Sequence, residues 1–243
     1  PVTASAEDKN VYLLGNVTED QLKDGAEVKC GNVPLKLNEA NYGLEEWQTK
    51  FVEITTTVTP KGSTNLTDDT PYTISVTVGP KPDSTPAEVG TEAVAKTDTA
   101  NQKINVFKPE LTFKDTEAYY GDTVPADLEG NRTKTEWKHG TTTDTSVTMI
   151  GEKPNLTVTC TPDASKIDAE DKINTTEDIG VAVTVKIGDT DVTTPHTTFQ
   201  HTNCANQTCT LPEGYRFLIH VKTCTLTVKK ELAAGTAIDD GQS

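Results

Sequence analysis

Residues 199–229, FQHTNCANQTCTLPEGYRFLIHVKTCTLTVK, hold three of the five cysteines and the longest apolar alternation in the chain. From Tyr215 to Cys224, and on through Thr225 to Val228, aromatic and β-branched residues alternate with polar ones. Side chains of that kind fit a half-buried pleated surface, so this stretch reads as strand. Threonine is the commonest residue of the whole chain. Its branched Cβ and hydroxyl suit the wet face of a strand better than a helix interior. The closing stretch therefore sets the expectation for everything upstream of it.

Working back through the chain, the same alternation recurs with turn residues between the strands. Strands are expected at Thr197 to His201, Val181 to Ile187, Leu156 to Thr161, Ser146 to Ile150 and Lys134 to Lys138, punctuated by Gly151-Glu152 and Gly188-Asp189. Ile104 to Lys108 and Leu111 to Phe113 flank Pro109, the mark of an edge strand or of a strand that changes sheets. Further upstream, Phe51 to Val58 and Ile74 to Val78 read as a long-looped hairpin. Val11 to Leu14, Val28 to Cys30 and Val33 to Leu37 read as shorter strands, and Asn41 to Trp47 as one short helix. Residues 80–102, rich in Pro, Ala and Thr, read as a linker. Short strands spaced by turns point to an all-β fold built as two tandem β-sandwich (Ig-like) modules. The expected division is 1–102, an N-terminal β-rich module with its linker, then 103–230, a β-sandwich module, then 231–243, the start of a linker or next module.

Charge narrows the function classes. With 22 Lys+Arg against 37 Asp+Glu the formal net charge is -15, which repels nucleic acid and anionic membrane surfaces. No apolar run reaches the roughly 18 to 20 residues that a spanning helix needs, so no membrane insertion of this segment is expected. Neither a GxSxG elbow nor a Gly-rich phosphate loop occurs, and carboxylates are too abundant for any pair to single itself out. The reading is accordingly of a non-enzyme, with no catalytic residue and no cofactor.

The cysteines admit two readings. In an extracellular setting Cys204 is expected to bridge Cys209 across a short loop, and Cys160 to bridge Cys224, leaving Cys30 free. Alternatively His201, Cys204 and Cys209 supply an imidazole and two thiolates to zinc, though zinc favours a fourth ligand and no CxxC or HExxH is present, so no metal is assigned. His139 and His220 read as solvated or hydrogen-bonded side chains, and His196 and His201, five apart, face opposite sides of a strand and are poorly placed to share a metal. Asp163, Asp168, Glu170 and Asp171 are dense in oxygen but lack the EF-hand spacing and its central glycine, which favours a solvated acidic loop over a calcium site.

The blocks KINVFKPELTFKD, YYGD, WKHG, VTMIGEKPNLTV, VAVTVKIGDTDVT, TTFQHTNC and FLIHVKTCTLTVKK, in that order over about residues 103–230, resemble modules of cell-wall-anchored surface proteins of Gram-positive gut commensals. Some of these act as adhesins, some are pilin-like, and some are immunoglobulin-binding superantigens. The resemblance implies an extracellular location on the bacterial cell wall and a host protein as partner, most concretely immunoglobulin variable domains. A non-binding stalk segment and a glycan-binding module are the alternatives. Pilin-like modules often carry a Lys–Asn isopeptide bond. Lys108 and the LPEGY segment at Leu211 to Tyr215 are similar to theirs, but no Asn lies from Phe217 to Val228, where the partner would sit. Aromatic anchors dominate protein interfaces, which makes Tyr119 and Tyr120 the binding candidates. Trp47 and Trp137 are expected in the core.

Overall fold

The computed structural model describes residues 1–83, 94–202 and 211–226. The strands are, in order, β1 (Val2–Ala6), β2 (Lys9–Tyr12), β3 (Val17–Thr18), β4 (Ala26–Cys30), β5 (Val33–Leu35), β6 (Val52–Thr59), β7 (Gly62–Ser63), β8 (Thr70–Pro80) and β9 (Lys96–Phe113). They continue with β10 (Thr116–Tyr119), β11 (Arg132–His139), β12 (Thr142–Thr143), β13 (Leu156–Pro162), β14 (Ile179–Ile187), β15 (Thr190–Asp191), β16 (Thr198–His201) and β17 (Phe217–Lys222). The all-β reading holds, in a sandwich-like arrangement of several sheets. The α-helix among the described residues, α1 (Glu19–Lys23), is started by a capping box: the Thr18 hydroxyl accepts from Gln21 N while the Gln21 side chain accepts from Thr18 N.

Strand β9 is the spine. Its first half, residues 96–104, pairs antiparallel with β8, which pairs in turn with β6. Its second half pairs antiparallel with β11 and, from Glu110 on, parallel with β16. Parallel β2 covers residues 104–107 between these regions. The neighbours therefore change on either side of Pro109, which has no N–H to give to a ladder. Along the strand Ala100, Ile104, Val106, Phe107, Leu111 and Phe113 are buried. At Val106 and Phe107 two successive residues are buried, so both faces of β9 are covered there.

Against the first half of β9 lies the small sheet β1-β4-β5, and Leu22, Val28, Leu35, Tyr72, Ile74 and Val76 fill the layer between. Opposite the second half lies the sheet ordered β10-β17-β14-β13. Phe113 of β9 stacks on Phe217 of β17 with centroids 5.2 Å apart, and Trp137, 2% exposed, meets Tyr12 edge-on at 5.1 Å. Buried aromatics of this size each contribute on the order of 2–3 kcal/mol through apolar burial. One cluster of buried residues runs through both parts.

Several local expectations need correction. Residues 96–102, read as linker, are strand, paired from Lys96↔Val78 to Gln102↔Tyr72; residues 84–93 of the same stretch lie outside the described residues. Ser146 to Ile150 is not a strand: a 3-10 turn over Asp144–Ser146 precedes an isolated bridge of Ile150 to Val11. The helix expected at Asn41 to Trp47 is a 3-10 turn over Ala40–Gly43 in which Asn41 and Tyr42 adopt φ of 52° and 57°, conformations that end an α-helix.

Candidate binding surface

Tyr119 and Tyr120 stand at the end of β10, the outer strand of its sheet. They are 47% and 56% exposed. β10 runs parallel to β17, with Thr116 opposite Ile219 and Tyr119 opposite Lys222. The turn that follows is held at every step: Tyr120 N donates to Lys222 O at 2.9 Å, Gly121 N to Ile173 O at 2.9 Å and Asp122 N to Tyr119 O at 3.0 Å. Gly121 supplies the left-handed φ of 82° that lets the chain turn back. The two exposed rings thus sit on a backbone with little freedom left to lose on binding. Beside them the Lys222 ammonium pairs with Glu117, and that hydrogen bond raises the lysine pKa.

Directly behind this edge is a buried acid, Asp115, whose side chain is 2% exposed. Its Oδ1 lies 2.7 Å from His201 Nε2 and accepts from Leu218 N at 2.7 Å, while Oδ2 lies 3.1 Å from His220 Nε2. His220 Nδ1 in turn lies 2.9 Å from Asp178 Oδ2. His201 is on β16 and His220 on β17, so one carboxylate ties the two facing sheets together. An imidazole with a carboxylate at each nitrogen satisfies both only when both nitrogens carry protons. Burial works to lower the His220 pKa, but the hydrogen bond and charge of Asp178, followed by those of Asp115, outweigh it and leave the pKa above 6.5. Sequence spacing could not reveal this network, because its members are brought together from separations of up to 105 residues.

The other candidate residues fall apart in space. Cys160 and Cys224 are free thiols, which overturns their expected bridge. Cys160 is opposite Val183 on β14, two residues to one side of Val181, which is opposite Phe217; Cys224 lies seven residues beyond Phe217 to the other side. Lys222, where β17 ends, is already seven residues from the level of Cys160, roughly 23 Å at about 3.3 Å per residue, and the two residues from there to Cys224 cannot bring it back to the about 7 Å between Cα atoms that a disulfide allows. Burial, chiefly, pushes the Cys160 thiol up to about 11. Cys204 and Cys209 lie outside the described residues, and with them the zinc alternative at His201. Among the described residues no group of three or more His, Cys, Asp or Glu is placed to hold a metal.

In the acidic loop, Asp163 accepts from Ser165 N and Asp168 from Glu170 N and Lys172 N. These carboxylates build turns. Lys108, the isopeptide candidate, is ion-paired with Asp68 at 2.7 Å on the surface. Trp137 is buried as expected, whereas Trp47 is 72% exposed. No helix among the described residues is long and apolar enough to cross a membrane. No protein-family model matches this sequence, and no curated protein matches it.

Proposed function

We propose that this chain is an extracellular binding module of a bacterial cell-wall surface protein that engages a host protein, with immunoglobulin variable domains as the concrete candidate. The observation that carries the reading is the Tyr119–Tyr120 pair, two exposed aromatics on a hydrogen-bonded turn at a sheet edge. Tyrosine supplies contact area at low entropic cost, and exposed edges accept other β-domains. In the same reading 1–102 and 103–230 are Ig-like sandwiches sharing the spine β9. Polyclonal antibody of mixed variable families, passed over the immobilised chain, is expected to be retained at micromolar concentration. Changing Tyr119 and Tyr120 together to Ala should weaken that retention at least about tenfold. Absence of retention at micromolar concentration rejects the immunoglobulin reading.

A stalk segment is the second reading, favoured by the 18-residue strand β9, which runs through both parts of the chain. High resistance to forced unfolding together with no partner in a screen of host secretions would select it instead.

A further inference from the structure

At the other end of the molecule a second surface is built from different parts. Strand β6 is the outer strand of the large sheet, paired with β8 alone among the described residues. Lys81 N donates to Phe51 O at 3.0 Å, which fixes the alternation of the antiparallel ladder. The N–H and C=O groups of Val52, Ile54, Thr56 and Val58 consequently point away from β8. Tyr42 OH caps the Ile54 carbonyl at 3.1 Å. Other edges are blunted: β5 contains Pro34, and Ala4 N of β1 donates to Asp98 at 2.7 Å. β6 has no proline, no bulge in its register and a single charge, Glu53, so apart from Tyr42 at Ile54 its edge carries few of the usual protections.

Beside this edge is an apolar groove of about 540 Å³, lined among others by Phe51, Val52, Val78, Val94 and the exposed indole of Trp47. A smaller hollow of about 150 Å³ between β5 and β6 adjoins it, and both share Cys30, Gln48, Val52 and Val78. In a chain of net charge -15 no carboxylate lines the groove among the described residues; the charged side chain lining it there is Lys96. Lys50, which lies over the Phe51 ring at 5.0 Å, and Lys81, next to Pro80 of the groove lining, line the neighbouring hollow. Glu45 and Glu46 lie in the neighbouring hollow, which Trp47 also lines.

We propose that this groove and the β6 edge dock an extended segment of a partner protein, apolar at alternate positions and acidic beside them. The segment adds a strand to β6, lays its apolar side chains into the groove under Trp47, and sets its carboxylates against Lys50, Lys81 and Lys96. Main-chain bonds then provide affinity, and the pocket and lysines provide selectivity. This surface is separate from Tyr119 and Tyr120, so either reading stands or falls alone.

The test titrates the whole chain with two synthetic peptides of alternating valine and threonine, one flanked by glutamates and one by lysines, followed by calorimetry and by Trp47 emission. Saturable binding of the glutamate-flanked peptide is expected, at least about tenfold tighter than its lysine-flanked counterpart at low salt and weakening as salt is added. Reversing Lys50, Lys81 and Lys96 to Glu should invert the preference, and Tyr119→Ala should leave it unchanged. Thr56→Pro, confirmed folded by circular dichroism, should abolish binding by removing an outward N–H. Absence of binding, equal binding of the two peptides, or an uninverted preference in the charge-reversed variant overturns the proposal. A chain already dimeric through β6, seen by sedimentation and dispersed by Thr56→Pro, overturns it as well.

Discussion

His220 shows how a single side chain reports on the whole network. Its pKa is raised in the folded state by Asp178 and Asp115 against the pull of burial, so the folded form binds its proton more tightly than the unfolded chain does. The stabilisation is fully present below the unfolded value of about 6.5 and is lost as pH rises through the folded pKa. Urea midpoints should therefore fall between slightly acid and slightly alkaline pH, and His220→Gln should flatten that dependence. Thr56 makes a different prediction. Its hydroxyl faces inward from β6, buried and without a hydrogen-bond partner, whereas the side chains on either side of it on that face are Ile54 and Val58. Thr56→Val should raise stability by about 1 kcal/mol, measured by denaturant melts, because it removes an unsatisfied polar group at little change in shape. The inward placement of Thr56 was legible from its alternation with Val52, Ile54 and Val58. The Asp115 network was not, since residues distant in sequence meet only after the sheets have stacked.

Among the elements, β14 is the one with least room. It is flanked by β13 and β17, and Ile179, Val181, Val183 and Val185 are buried. Gly180 sits where the Tyr215 ring crosses the strand: a Cβ placed there would lie 2.4 Å from the ring. Arg216 N donates to Val181 O at 2.8 Å just beyond, guiding the chain into β17. Gly180→Ala should cost about 1–3 kcal/mol by displacing Tyr215, read as a lowered melting temperature, and Gly180→Ala combined with Tyr215→Ala should recover part of it. The PEGY segment thus earns a packing role that its sequence did not disclose. Helix α1 was missed for the opposite reason: five residues are too few for a periodic pattern, and the signal that existed was the capping pair of Thr18 and Gln21.

For the molecule as a whole, β9 governs what can be separated from what. A division at residue 102 cuts a strand whose first half needs β8 and whose second half needs β11 and β16. Residues 103–243 expressed alone should melt at lower temperature and less cooperatively than the full chain by circular dichroism, since Ile104 to Phe107 would lose the cover of β2. An unchanged melt would show that the two parts fold independently. Composition and period-two alternation by themselves determined that the chain is all-β and located most strands, because the strand repeat is local: neighbouring residues must face opposite sides wherever the strand lies. They also marked Pro109 as a place where a strand changes company. The tertiary structure alone decided that 96–102 is strand, that Cys160 and Cys224 are far apart, that Trp47 is exposed while Trp137 is buried, and that Asp115 joins two histidines. Each of those depends on which strands become neighbours and in what register, and that choice is made by packing between residues far apart in the chain.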